Sequence, residues 1–99
     1  GIAAIEKINE QKAQLLYAEI DRNPLFKGTA VTEDRSNMNA TFVLTDESLT
    51  EKFDTMWKAA GISGLTGHRS VGGYRASMYN ALPLESVEAL VNVMKELEK

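Results

Sequence analysis

Apolar residues recur along the chain with two different periods, and the changes of period outline its elements. Ile5, Ile8, Leu15, Leu16 and Ile20 return at helical spacing with polar gaps at Asn9 and Lys12, in a stretch from about Ile2 to Asp21 that contains no proline or internal glycine. This pattern predicts one long helix. Asn23-Pro24 ends it, because the residue before a proline is pushed out of the α region. Leu25 to Thr29 reads as a loop and Ala30-Val31-Thr32 as the start of a short strand. Met38 to Leu44 is a β-rich run containing Thr41, Phe42 and Val43.

Ser48-Leu49-Thr50-Glu51 has the capping-box pattern, in which a serine hydroxyl and a glutamate carboxylate each satisfy a free backbone N–H. The helix it predicts places Leu49, Phe53, Met56, Trp57 and Ala60 on one core-facing stripe and stops at Gly61. Ile62 to Thr66 reads as a short strand or extended connection. Beyond it, Tyr74, Ala76 and Met78 alternate with Arg75, Ser77 and Tyr79, the period of a half-buried strand. A turn at Asn80 to Pro83 leads to a last helix from about Leu84 to Glu98. Its buried stripe is Leu84, Val87, Leu90, Val91, Met94 and Leu97, while Glu85, Glu88, Lys95, Glu96 and Lys99 face water. The order helix, strand, helix, strand, strand, helix predicts a two-layer α+β domain, with a small, mostly antiparallel sheet packed against helices. Residues 1–99 form one such domain, with no repeat or linker inside it.

Composition narrows the function classes. Hydrophobic residues at 43% and charged residues at 25% are ordinary for a globular domain. A net charge of −3 without a basic run argues against nucleic-acid binding, and no stretch is long and apolar enough to act as a membrane span or signal sequence. With no cysteine and one histidine, disulfides and thiolate metal sites are excluded and a structural zinc site is disfavoured. The expectation is a soluble, cytoplasmic, metal-free protein.

Candidate chemistry is concentrated in one stretch, from Gly67 to Asn80. His68, Arg69 and Arg75 surround Gly72-Gly73. A guanidinium offers a planar fork of donors that matches a carboxylate or phosphate and stays charged at any working pH. Adjacent glycines let backbone N–H groups approach an anion without a Cβ in the way. Two readings stand at this point: an anion site, or a tight hairpin whose arginines are solvated edge charges. Arg35 reads first as a surface or salt-bridging residue.

The run Gly67-His68-Arg69-Ser70-Val71-Gly72-Gly73-Tyr74-Arg75-Ala76-Ser77-Met78-Tyr79-Asn80-Ala81-Leu82-Pro83 closely resembles the C-terminal signature of the phosphoserine aminotransferase family. Ala4 to Ala13 and Arg35 to Phe42 resemble the same family in the same order. Ser70 and Tyr74 depart from it mildly, standing where the family often has apolar residues. The resemblance implies the small C-terminal domain of a fold type I, pyridoxal-phosphate-dependent enzyme, entered through an interdomain helix. The large domain, with the lysine that forms the Schiff base, lies outside this segment, and none of the lysines here resembles that motif. This domain alone is therefore expected to have no catalytic residue, to bind no cofactor and to be inactive.

For the parent protein, the resemblance implies a cytoplasmic homodimer that transfers an amino group between glutamate and 3-phosphohydroxypyruvate in serine biosynthesis, with phosphoserine and 2-oxoglutarate as products. In some members it also implies 4-phosphohydroxythreonine formation in pyridoxine biosynthesis. Arg75 corresponds to the arginine that grips the substrate α-carboxylate. His68 and Arg69 correspond to the pair that receives the phosphate, or the side-chain carboxylate of glutamate, in the partner subunit's site. A phosphate there favours the imidazolium of His68 and makes binding pH-sensitive near neutrality. Gly72 and Gly73 shape the loop. Alternatives outside this resemblance are a stand-alone α+β module that senses a small anionic metabolite, a structural or dimerisation domain, and a different pyridoxal-phosphate aminotransferase.

Overall fold

A computed structural model describes residues 2–29, 39–68, 73–77 and 82–99. Helix α1 is Ile2–Arg22, strand β1 Phe26–Gly28, β2 Asn39–Leu44, helix α2 Thr50–Ala59, strands β3 Leu65–His68 and β4 Gly73–Ser77, and helix α3 Leu84–Glu98. The four strands form one antiparallel sheet in the order β1-β2-β4-β3. The α+β reading of the sequence is correct, and the sheet is antiparallel throughout the described residues.

One face of the sheet is covered by the helices. Phe26, Phe42, Leu44, Tyr74 and Ala76 point into that layer, where they meet Phe53 of α2, Leu16 and Ile20 of α1, and Val87, Leu90 and Met94 of α3. The aromatic rings lock edge to face: Phe26 lies 5.1 Å from Phe53, and Phe26 5.7 Å from Phe42. Such pairs add specificity to burial because ring quadrupoles favour these angles.

Four sequence expectations need correction. Leu25 to Thr29 is not a loop, since Phe26–Gly28 forms β1 against Phe42–Leu44, and the flanking bonds Thr45 N–H to Leu25 O and Thr29 N–H to Thr41 O extend the pairing. Proline and glycine on either side masked a strand that exists only because Phe26 has a buried slot beside Leu44. Ser48 is not the cap of α2. The Asp46 carboxylate accepts from Ser48 N–H at 3.0 Å and Ser48 O–H at 2.6 Å, which opens a single 3-10 turn at Glu47–Leu49 before α2 begins at Thr50. Ala60 is exposed and Leu84 only half-buried, so each stripe is shorter by one residue at an end. The remaining correction concerns α1. Ile5, Ile8 and Leu15 are exposed, while Asn9, Lys12 and Glu19 are buried.

Helix α1 is held by its C-terminal end. Asn23, 1% exposed, donates from Nδ2 to Met94 O of α3 at 2.9 Å and to Glu19 Oε2 at 3.1 Å, and its Oδ1 accepts Leu25 N–H at 3.0 Å. Arg22 grips Glu19 with two bonds, at 2.9 and 2.6 Å, and reaches Glu98 of α3 at 2.9 Å. Hydrogen bonding from Arg22 holds the Glu19 carboxyl below the usual glutamate range. The expected stop at Asn23-Pro24 is thus also a clasp between α1, β1 and α3. Gly61 ends α2 at φ +74°, the left-handed conformation that glycine adopts without a Cβ penalty. The stretches 30–32 and 78–80, and Arg35, lie outside the described residues.

Candidate functional site

The second face of the sheet carries no helix among the described residues, and Arg75 stands on it. Strand β4 is interior, paired on one side with β2 and on the other with β3. In register, Arg75 lies between Thr41 and Thr66. Ser77 follows on the same face, with Asn39 opposite it, and Lys27 and Val43 form a cross-strand pair further along. Arg75 is exposed, and no described residue gives it a hydrogen bond or an ion pair. A guanidinium with hydroxyl-bearing neighbours and no carboxylate partner suits an incoming anion rather than a structural salt bridge.

The alternation expected of this strand holds where it is described: Tyr74 and Ala76 face the core, Arg75 faces outward and Ser77 is half-buried. Gly73 lies in the strand itself, opposite Val43 and His68. His68 ends β3 two cross-strand pairs along from Arg75, opposite Gly73, a diagonal spacing of roughly 7 to 8 Å between backbone positions. Chain topology thus brings the end of β3 at His68 close to Arg75 in the middle of β4. Arg69, Gly72 and Tyr79 lie outside the described residues.

Sequence reasoning passed over what lies beneath this face. Tyr74 stacks on Phe42 at 5.5 Å and meets Phe53 edge-on at 5.0 Å. Its hydroxyl donates to Asp54 Oδ1 at 2.7 Å, and Trp57 Nε1–H donates to the same oxygen at 3.1 Å. Spacing hinted at one half of this, since Asp54 and Trp57 are three apart on a helix. Asp54 and Tyr74 are twenty residues apart, and no local pattern links them.

Grooves elsewhere differ in chemistry. One of about 410 Å³ between α1 and α3 is lined by Gln11, Gln14, Leu15, Ala18, Leu84 and Glu88, with no cation. A second, toward the ends of the same helices, has Arg22 matched by Glu19 and Glu98, and Lys99 matched by Glu96, and is also lined by Lys95. Among the described residues no cluster of His, Asp or Glu is arranged to hold a metal, and no helix is long and apolar enough to cross a membrane.

Comparison with known proteins agrees with the fold. The chain is 80% identical over 98 residues to a phosphoserine aminotransferase of Flavobacterium psychrophilum and 72% identical over 98 residues to that of Flavobacterium johnsoniae, covering 99% of this chain in each case. It spans 28% of the length of each of these relatives. Among solved structures, the phosphoserine aminotransferase of Bacillus circulans subsp. alkalophilus is similar over 93% of this chain and 26% of that one, at 45% identity and a TM-score of 0.81. The pyridoxal-phosphate-bound phosphoserine aminotransferase of Trichomonas vaginalis is similar over 90% of this chain and 26% of its own, at 41% identity and a TM-score of 0.75. No family model matches the sequence. Fold and likeness together define the chain as a domain of an aminotransferase. Within that class it is similar, over nearly its whole length, to part of phosphoserine aminotransferases.

Proposed function

We propose that this chain is the C-terminal, substrate-gripping domain of a phosphoserine aminotransferase, which moves an amino group between glutamate and 3-phosphohydroxypyruvate in serine biosynthesis. The observation that supports it is Arg75: exposed, without a partner among the described residues, and mounted on an interior strand whose hydrogen-bonded neighbours fix its base. Glutamate and 3-phosphohydroxypyruvate share one group at the reacting end, a carboxylate attached to the carbon that gains or loses nitrogen. An arginine fork on a rigid strand binds that shared group bidentately and so orients either substrate in turn. His68 and Arg69 take the distal anion, in the site of the partner subunit of a homodimer. Gly72 is assigned to the loop between them and Arg75, whereas Gly73, expected in that loop, begins β4.

Pyridoxal phosphate, when bound to the whole protein, supplies the electron sink for the amino transfer. The described residues do not fit it. Lys27 is the only lysine on the open face in the described register, and it stands two strands away from Arg75. The first α1–α3 groove carries no cation, and the second has Lys95 beside the paired Arg22 and Lys99 but no lysine resembling the Schiff-base motif. The cofactor is therefore assigned to the remaining part of a full-length protein, and the segment alone is assigned no turnover.

The test uses a full-length enzyme that carries this sequence, for example the Flavobacterium psychrophilum relative with its matching 98 residues replaced by these. Glutamate-dependent amination of 3-phosphohydroxypyruvate is expected. Arg75→Leu should abolish it while leaving the cofactor absorbance in place. Arg75→Lys should not rescue, because an ammonium cannot reproduce the fork. Full activity in either variant refutes the assignment, whereas phosphoserine binding by these 99 residues together with an inactive full-length protein favours a metabolite-sensing module.

A further inference from the structure

An exposed arginine needs no buried tyrosine beside it, yet a polar contact is built directly under Arg75. Tyr74 precedes Arg75 in β4 and sends its side chain into the helical layer, where it is 4% exposed. Phenylalanine would reproduce the stacking on Phe42 and the edge contact with Phe53. The hydroxyl adds one thing, the 2.7 Å bond to Asp54 Oδ1 on α2. Trp57 Nε1–H holds the same carboxylate oxygen from the other side, at 3.1 Å. Burial, then the Asp54 carboxylate, push the Tyr74 phenol well above its usual range, so it remains a donor at any working pH.

Backbone ladders fix β4 within the plane of the sheet but do not fix the sheet on the helices. Apolar contacts are non-directional and tolerate sliding. A hydrogen bond to a carboxylate is short and directional. The phenol-carboxylate bond joins β4 to α2 at the residue next to Arg75, and Tyr74 also pairs in register with Gly67, the residue before His68. This bond therefore lies beneath the part of the sheet that carries Arg75, one residue along β4 from it.

We propose that Tyr74 and Asp54 are positioning residues for Arg75, their bond setting the depth and tilt of β4 on α2 and hence the aim of the guanidinium at the substrate carboxylate. This rests on the reading of Arg75 as the carboxylate grip. The phenol and the carboxylate touch no substrate and act only through the strand.

Steady-state kinetics on the full-length enzyme carrying this sequence test it, with Arg75→Leu as reference. Tyr74→Phe is expected to raise KM for glutamate and for 3-phosphohydroxypyruvate roughly tenfold, as misaimed binding groups do, with kcat changed less than about twofold. Asp54→Ala should behave alike. Asp54→Asn should retain a near-normal KM, because its amide oxygen still accepts both donors. The double variant Tyr74→Phe with Asp54→Ala should be no worse in KM than either single change. Unchanged KM in Tyr74→Phe, with only a lowered Tm, overturns the proposal and leaves the bond a stabilising one. An Asp54→Asn enzyme as impaired as Asp54→Ala overturns it too, since the charge and not the bond would then matter. An active Arg75→Leu enzyme marks failure of the carboxylate-grip reading itself, while an inactive one beside a normal Tyr74→Phe marks failure of the positioning role alone.

Discussion

Asn23→Ala is the most informative single change to the fold. Asn23 is almost wholly buried and makes three side-chain hydrogen bonds, to Leu25 N–H, Met94 O and the Glu19 carboxylate. Removing them forfeits roughly 1 kcal/mol for each neutral bond and about 2 for the one to the carboxylate, or about 3 to 4 kcal/mol together. Against a stability of about 5 to 15 kcal/mol for a domain this size, that is a large share. With a urea m-value near 1.3 kcal/mol per M, the unfolding midpoint of the domain should fall by about 2 to 3 M. Asn23→Asp sharpens the test. Aspartate can still accept Leu25 N–H, but it cannot donate to Met94 O and it sets a second carboxylate against Glu19. Two carboxylates in one place raise the pKa of one of them in the folded state, so this variant should be worse than Asn23→Ala at pH 7 and regain stability as the pH falls toward 5. A loss under about 1 kcal/mol for Asn23→Ala, or an Asn23→Asp deficit that does not shrink in mild acid, would refute the view of Asn23 as the clasp of the fold.

Other changes test separate parts. In the full-length enzyme, Arg75→Leu should cost about 2 to 5 kcal/mol of transition-state stabilisation, read as the change in kcat/KM. Because the folded Glu19 carboxyl is held below its usual range, its contribution is complete at neutral pH and is lost as pH drops through the folded value. Glu19→Gln should therefore be less stable than the natural chain at pH 7 and should lose less on acidification, as followed by circular dichroism. Phe53→Ala empties the centre of the aromatic cluster and should cost about 3 to 5 kcal/mol in denaturant unfolding. Gly61→Ala places a Cβ in open space at φ +74°, so only backbone strain should register, about 1 kcal/mol in the same assay.

What was legible in the sequence follows from the range of each interaction. Arg75 could be set on an exposed face because alternation is a local rule and Tyr74 and Ala76 mark the buried side on either flank. Helix α3 was legible because its stripe is apolar and its opposite face charged, which leaves one way to pack. Helix α1 offers two faces. Ile5, Ile8 and Leu15 mark one; Ala13, Leu16 and Ile20, mixed with Asn9, Lys12 and Glu19, mark the other. Docking on α3 and the sheet decided between them, through polar contacts such as Asn23 to Met94 O that no hydrophobic period encodes. Strand β1 was hidden because its pairing partner, Leu44, lies far along the chain. Asp46 and Ser48 are both good capping residues two positions apart, and the choice fell to the one whose carboxylate could take two donors.

The free stretch of α1 has a mechanical consequence. The helix has 21 residues, and it is fastened to α3 and β1 at its far end by Glu19, Arg22 and Asn23, while residues 4–8 stand exposed. A straight helix of that length spans about 30 Å, so a tilt of roughly 5° at its beginning would carry the fastened body through about 2.5 Å. That displacement is comparable to the difference between making a hydrogen bond and losing it. Under the proposal that Arg75 grips a carboxylate, rotation of this lever moves the guanidinium with the whole sheet and without any side chain changing rotamer.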